Sequence, residues 1–460
     1  MKLLLALGLL VSPNAPAQTA APREVNEERI AAAFADVRSA LKEVLGVEVD
    51  AKFQPRIVGA KDVAARVALE NLPVIRLRQP DPALAQSEAD AIGQQFGQSA
   101  LAKYTWATKE LLVSAKTWRR QAAMMNRPAL TSDEALRAVL VHEVVHALDD
   151  ARYDIGKVIG GLPSIDAVQG LNGVLEGHAQ LLARRVCEKR GWKSGFDVFS
   201  ANIGGVPEGA ESLAAAQLDL LRAQGAIAAA PYVAGEAFMT AVEARGAEFV
   251  ARAFRTPPET PDLLYRPDWW LEPAQRPKSR FTLGAALDAF GARYPSEQWS
   301  SAKMTLPRAG LEASMTRIGP ERVRTALDGR ITSTSITLQP RADPSSKLVS
   351  LALHEFVDEK GALAFFTGGT ELGKARDEDM RRPDASLRLV ELASEPIQGE
   401  GWRAAVERRK LDSAGFVFVA TAVRAQVKEL VVELVFSNEP AETEDLAALV
   451  RSVIATATRK

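Results

Sequence analysis

The chain has 460 residues, 47% hydrophobic and 25% charged, proportions of an ordinary globular protein that exclude a disordered, collagen-like or coiled-coil chain. Its 57 lysines and arginines face 58 aspartates and glutamates, a net charge of −1, so no charge excess drives nucleic-acid binding or holds the chain on anionic lipid. The single cysteine, Cys187, excludes an internal disulfide, a four-cysteine zinc site and an iron–sulfur cluster.

Met1-Lys2, the apolar run Leu3–Val11 and the small-residue pattern Ala15-Pro16-Ala17 predict a signal peptide over residues 1–17, cleaved after Ala17. That run is too short to span a bilayer, and no later stretch has the uninterrupted apolar length of a membrane helix. The mature chain is therefore expected without a transmembrane anchor, in the periplasm or outside the cell. Helical periodicity follows over Glu24–Leu45, Lys61–Asn71 and Gln86–Leu101, and residues 103–113 read as two short strands around a turn. Thr131, with Glu134 three residues on, predicts a capping box that opens a helix through Tyr153. Pro163-Ser164 precedes a second long helix that ends at Gly191. Further helices are expected near Glu208–Gln224 and Pro231–Phe254, with Pro231 at a first helical position. Residues 256–278 hold six prolines and predict an irregular loop, in which Trp269-Trp270 form either a wall of a substrate cleft or core filler. Beyond residue 305 strand-like segments dominate (331–338, 348–356, 386–392, 415–423 and 429–437), with helices near Lys360–Lys374 and Thr443–Thr456. This texture predicts a mainly α body over residues 18–304 and a C-terminal α+β domain over 305–460.

The four histidines decide the chemistry, because three of them, His142, His146 and His178, fall within 37 residues. His142-Glu143-Val144-Val145-His146 is HExxH inside a strongly apolar helix. The four-residue step puts both imidazoles on one face, one turn apart, within reach of one metal ion, and Glu143 lies beside that face where it can hold a water. A buried helix does not keep two histidines and a carboxylate without a partner for them. A third ligand must come from elsewhere, and Leu175-Glu176-Gly177-His178 offers Glu176 or His178, about 200° apart round a helix, so that only one faces the ion. Gly177 would let another helix come close at this point. Asp150, one turn beyond His146, is placed to orient that ligand or to sit at the surface. Tyr232 is a candidate donor to a developing oxyanion, or a core tyrosine. Cys187 reads as a buried small hydrophobe and His354 as an ordinary strand residue.

The segments HEVVHALDD and LEGHA resemble gluzincin zinc metallopeptidases, the thermolysin-like group with HExxH on one helix and a glutamate ligand on the next. A closer likeness is to poorly characterised secreted bacterial proteins in which HALxD and EGxA helices precede a PYxxGxxF helix and a PPxxxxxLxxP loop, here Pro231–Phe238 and Pro257–Pro267. The likeness covers roughly residues 100–275. It implies a zincin-like metallopeptidase body, Zn2+ held by His142, His146 and Glu176, and Glu143 as the general base. His146 and Glu176 are separated by 29 residues, more than in the thermolysin pattern, which calls for an inserted loop near residues 156–164. The expected function is a secreted, zinc-dependent peptide hydrolase acting on a peptide or protein substrate. The alternatives are a noncatalytic envelope or binding protein on a retained metallopeptidase body, with the C-terminal domain binding a partner, or a structural zinc site, which normally has four protein ligands. No GxSxG serine motif occurs, and Cys187 has no local catalytic partner.

Overall fold

Apolar residues at three- and four-residue steps, Ile30, Phe34, Val37 and Leu41, bury one face of the first helix, α1 (Glu27–Leu45), which Asn26 caps and Gly46 ends in the left-handed conformation. The computed structural model describes residues 22–458 apart from 211, 212, 214, 383, 384, 386, 400, 414, 440 and 441. The signal peptide expected over residues 1–17 lies outside the described residues. The chain divides into two compact units, one reaching Leu213 and resuming over Pro231–Glu259, the other taking Ala214–Ala230 and everything from Thr260.

In the first unit α1 is followed by β1 (Pro55–Ile57), α2 (Ala60–Arg76), α3 (Pro82–Gly97), β2 (Ala102–Thr105), β3 (Glu110–Val113) and α4 (Ala115–Met124). Then come α5 (Asp133–Tyr153), α6 (Ile155–Gly160), α7 (Ile165–Arg190), α8 (Lys193–Asn202), the part of α9 (Ala215–Glu243) from Pro231 on, and α10 (Ala247–Arg255); the residues of α9 before Pro231 belong to the second unit. The hairpin expected over residues 103–113 is β2–β3, and β1 adds in parallel to its other side, giving the sheet order β1-β3-β2 with β2 at an edge. Val139–Val145 of α5 are all buried, as befits a helix that is apolar around its whole circumference and sits at the centre of the unit. Phe34, Val37 and Leu41 of α1, Trp118, Val186, Cys187 and Phe196 complete that core.

Two local expectations are corrected. The N-cap of α5 is Ser132, whose side chain accepts from the Ala135 N–H at 3.1 Å, while Thr131 belongs to a preceding 3-10 turn and its hydroxyl donates to the Pro128 carbonyl. Pro231 does not begin a helix but lies inside α9, which continues to Glu243 before α10 starts at Ala247. Length and apolarity alone would allow Gln217–Glu243 to cross a membrane, a test that core helices also pass. In this structure Asp219 of that helix pairs with Arg317, and Glu236 pairs with Arg184.

The second unit opens with proline-initiated short turns, including α11 (Pro267–Leu271), so the 256–278 segment is more regular than a plain loop. Trp270 is buried there. Then follow α12 (Leu283–Gly291), β4 (Trp299–Thr305), α13 (Arg308–Ser314), α14 (Pro320–Leu327), β5 (Arg330–Pro340), β6 (Leu348–Phe356) and α15 (Glu359–Met380). β7 (Arg388–Gly399), β8 (Trp402–Ser413), β9 (Phe416–Val427), β10 (Leu430–Ser437) and α16 (Thr443–Ala457) complete the unit. The seven strands form one antiparallel sheet in the order β4-β5-β6-β10-β9-β8-β7. Strand alternation gives it two different faces. Leu351, Leu353, Val432 and Leu434 pack with α12 and α16, whereas His354 and Glu433 point to the opposite side.

Candidate metal centre

Ser132 and the acidic first turn Asp133-Glu134 fix the start of α5, and ten residues on the helix carries His142, Glu143 and His146. Ser164 likewise caps α7, which Gly191 closes at φ 73°, and this helix carries Glu176 and His178. Where α7 meets α9 the contact is glycine on glycine. A Cβ on Gly177 would lie 2.0 Å from the Gly235 carbonyl carbon, and one on Gly235 would lie 2.1 Å from the Gly173 oxygen. Only bare backbone permits this approach, which is the role expected of Gly177. It brings Tyr232, one turn before Gly235, next to Glu176.

The donor atoms converge. His142 Nε2 lies 3.1 Å from Glu176 Oε2 and 3.1 Å from His146 Nε2, and His146 Nε2 lies 3.4 Å from the same Glu176 oxygen. A tetrahedral zinc with ligand bonds of about 2.0–2.2 Å separates its ligand atoms by about 3.3–3.5 Å; one of the three separations here falls in that range and two are slightly shorter, close enough for one ion to be shared. Two imidazole nitrogens and a carboxylate oxygen are all acceptors in their ligating forms, and crowding them in a buried place is costly unless a cation sits among them. His142, His146 and Glu176 therefore form a group able to hold a metal ion. His142 is buried between the Phe199 ring edge and the Tyr232 ring face, with centroids 5.3 Å and 5.7 Å away. Nothing among the described residues pairs with its other nitrogen, Nδ1. Burial pushes the Glu176 carboxyl up, but His146 and His142 outweigh it and hold the group well below the usual carboxylate range.

Of the two candidates for third ligand, the structure brings Glu176 to the histidines and turns His178 away. His178 Nδ1 instead faces both oxygens of Asp149, at 3.0 and 2.9 Å, with the edge of its ring toward Phe254. Tyr232 stacks on His142, with ring centroids 5.7 Å apart. Burial, with Glu176 and Glu143 close by, pushes its phenol well above the ordinary range.

Glu143 is held from the sheet. Its Oε2 accepts the Tyr104 backbone N–H at 2.6 Å, a donor that β2 presents on its free edge. The Tyr104 hydroxyl donates to Asp150 Oδ2 at 2.5 Å. One residue of β2 therefore grips α5 at two points seven residues, or about 10.5 Å, apart. Asp150 also takes Lys109 Nζ at 2.6 Å and the Ile155 N–H at 3.0 Å. The role considered for it, orienting His146, is corrected: it fastens the hairpin and α6 to α5. Sequence reasoning missed Tyr104 and Asp149. For Tyr104 the signal was an aromatic strand residue opposite HExxH, and for Asp149 the HALDD run itself. Cys187 is buried and its thiol pushed up to about 12, first by burial and then by Glu188, so it is the small hydrophobe expected.

No known protein family matches the chain, and no curated protein does. Among solved structures, the extracellular domain of PknH from Mycobacterium tuberculosis is similar over 39% of this chain and 97% of its own length, at 12% identity and a TM-score of 0.26. A likeness that slight carries no argument about what the chain does.

Proposed function

We propose that the chain is an exported zinc-dependent peptide hydrolase of the gluzincin type. The observation that carries this reading is the convergence of His142, His146 and Glu176 at ligand spacing, with Glu143 fixed beside them. Three protein donors leave a fourth tetrahedral position open, as catalytic rather than structural zinc sites do. Held by His142, His146 and Glu176, zinc would supply Lewis acidity and an acidified water. Glu143 is placed to take a proton from the attacking water as the water's oxygen bonds to the carbonyl carbon and the π pair moves onto the carbonyl oxygen. As the pair returns, the C–N bond breaks and Glu143 passes its proton to the leaving nitrogen. Tyr104 keeps the Glu143 carboxylate in place through its backbone N–H, and Tyr232 packs against His142. The free edge of β2 suits an extended peptide backbone.

Elemental analysis of the purified chain together with a peptide-library digest tests this reading. One zinc per chain and chelator-sensitive cleavage are expected. Zinc without cleavage of any peptide would favour the noncatalytic binding protein, and no zinc after metal-replete purification would remove both.

A further inference from the structure

A cleft in the second unit has no part in the chemistry above. It lies between the turn around Asp262, Trp269 of α11, Arg308 at the start of α13 and Arg330 at the start of β5, and its lining belongs wholly to the second unit. Four arginines line it, Arg266, Arg276, Arg308 and Arg330, against one carboxylate, Asp262. That carboxylate is already spent: one oxygen takes Arg330 Nη2 at 2.6 Å and the other takes the Arg308 backbone N–H at 2.7 Å. Two of the guanidiniums are fixed in place and still have donors to spare. Arg308 lies over the Tyr265 ring, 4.9 Å from its centroid, and its Nε donates to Glu312 at 2.8 Å. Its side chain is 12% exposed, yet among the described residues neither terminal nitrogen meets an acceptor. Arg266 stands over the Trp269 ring at 5.2 Å and gives Nη2 to Asp328 at 2.8 Å, which leaves its Nε and Nη1 without an acceptor among the described residues. Arg330 lies deeper, 2% exposed, and among the described residues its Nε has no partner either.

A guanidinium donor taken out of water is costly unless it meets an acceptor, and Arg308 and Arg266 are each ordered in advance by a ring and a carboxylate. The free edge of Arg308, Nη1 with Nη2, offers two parallel N–H bonds, the fork that matches a planar carboxylate. The space inside the cleft is about 10 Å³, room for one small group. A carboxylate tip enters such a slot, whereas a tetrahedral phosphate or a sugar ring is too bulky. We propose that this cleft binds a ligand carboxylate, with Arg308 gripping both oxygens and Arg266 adding a further donor. None of these residues belongs to the metal centre, so binding is expected with or without zinc. Two sources supply this chemistry, the C-terminus of a peptide and the side chain of an acidic residue.

Calorimetric titrations of the full chain with three probes at constant ionic strength tell them apart. N-acetylalanine carries the terminal carboxylate, the α-amide of N-acetylglutamate carries the side-chain one, and N-acetylalaninamide carries neither. At least one acid should bind and the neutral amide should not; the acid that binds more tightly identifies the source. Arg308→Lys keeps the charge but loses the fork, and should weaken that acid by about 10–100-fold, the usual effect of losing a charge-assisted hydrogen bond. Arg266→Gln should weaken it by about tenfold. Melts of the ligand-free variants report whether the fold is intact, and if Arg308→Lys does not fold, Arg266→Gln carries the test. The proposal is overturned if neither acid binds, if the neutral amide binds as tightly as the acids, or if the folded variant that carries the test binds unchanged. Tighter binding of inorganic phosphate than of either acid would also overturn it, by showing a general anion site.

Discussion

Two buried histidine environments, one in each unit, show what separates a group able to hold a metal ion from a structural ion network. In the second unit His354 of β6 is wholly buried, yet each of its nitrogens has a partner: Nδ1 faces Ser333 Oγ at 2.9 Å and Nε2 faces Glu433 Oε2 at 3.2 Å. Glu433 in turn accepts from Arg424. Every acceptor there meets a donor within the protein. In the first unit His142, His146 and Glu176 present their acceptors chiefly to one another. Residue types are the same in both places, a buried histidine beside a glutamate. The second cluster is complete as it stands, whereas the first is a group able to hold a metal ion.

The sharpest way to break this comparison is to remove the glutamate from each cluster. Glu176→Gln should abolish tight zinc binding, and with it the stabilisation that a ligand present at 1,000 times its dissociation constant confers, about 4 kcal/mol. His178→Asn should leave zinc nearly intact, since His178 faces Asp149. Glu433→Gln should leave zinc untouched and cost about 1–3 kcal/mol, the usual penalty for unpairing a buried polar group. Metal analysis and thermal melts read both effects; zinc loss from His178→Asn with retention in Glu176→Gln would reassign the ligand set.

A smaller effect should come from the helix contact that assembles the metal site. Gly177→Ala places a methyl where the Gly235 backbone lies, and overpacking of this kind costs about 1–3 kcal/mol. Separation of α9 from α7 should also withdraw Tyr232 from His142 and weaken zinc binding, so the melt and the chelator titration should shift together. A melt shift without a change in zinc affinity would show that Tyr232 does not position the ligand.

The mildest effect is a pH dependence. Burial pushes the Glu433 carboxyl up, but Arg424 and His354 outweigh it and depress it below its ordinary value. A depressed folded-state value means stability that is present above the unfolded value of about 4.3 and is lost as the pH falls below it. The second unit should therefore soften below about pH 4.3, and Glu433→Gln should flatten that slope. An unchanged slope in the variant would assign the acid sensitivity to other carboxylates.

The metal centre was legible where chemistry is local. HExxH needs only the helical period to place His142, Glu143 and His146 together, and a helix apolar on all sides announces burial. Glu176 was legible only as one of two candidates, because which side of α7 faces α5 is set by Gly177 and Gly235 meeting, a contact between segments distant in sequence. Tyr104 was not singled out, since it acts on Glu143 through its backbone. In the second unit, strands rich in leucine and valine such as Leu348–Phe356 and Leu430–Ser437 were legible. The strand β8 was not: Arg403–Lys410 is rich in alanine, arginine and glutamate, residues that favour helix, and only the buried alternation of Ala404 and Val406 fits a sheet. Pro231 misled in the same way, because a proline tolerated within α9 looks like a helix start.

In the proposed hydrolase, His142, His146 and Glu176 hold zinc and Glu143 works beside it as a base. Glu143→Gln keeps the size of the side chain and can still accept the Tyr104 N–H, but at neutral pH it cannot take a proton from water. A peptide cut by the unmutated chain in a chelator-sensitive manner, assayed against this variant at equal zinc content, tests the claim most directly. Cleavage should fall by about 10²–10⁴-fold, the usual contribution of general base catalysis, with zinc affinity and melting temperature preserved. Equal cleavage by the variant would contradict the account.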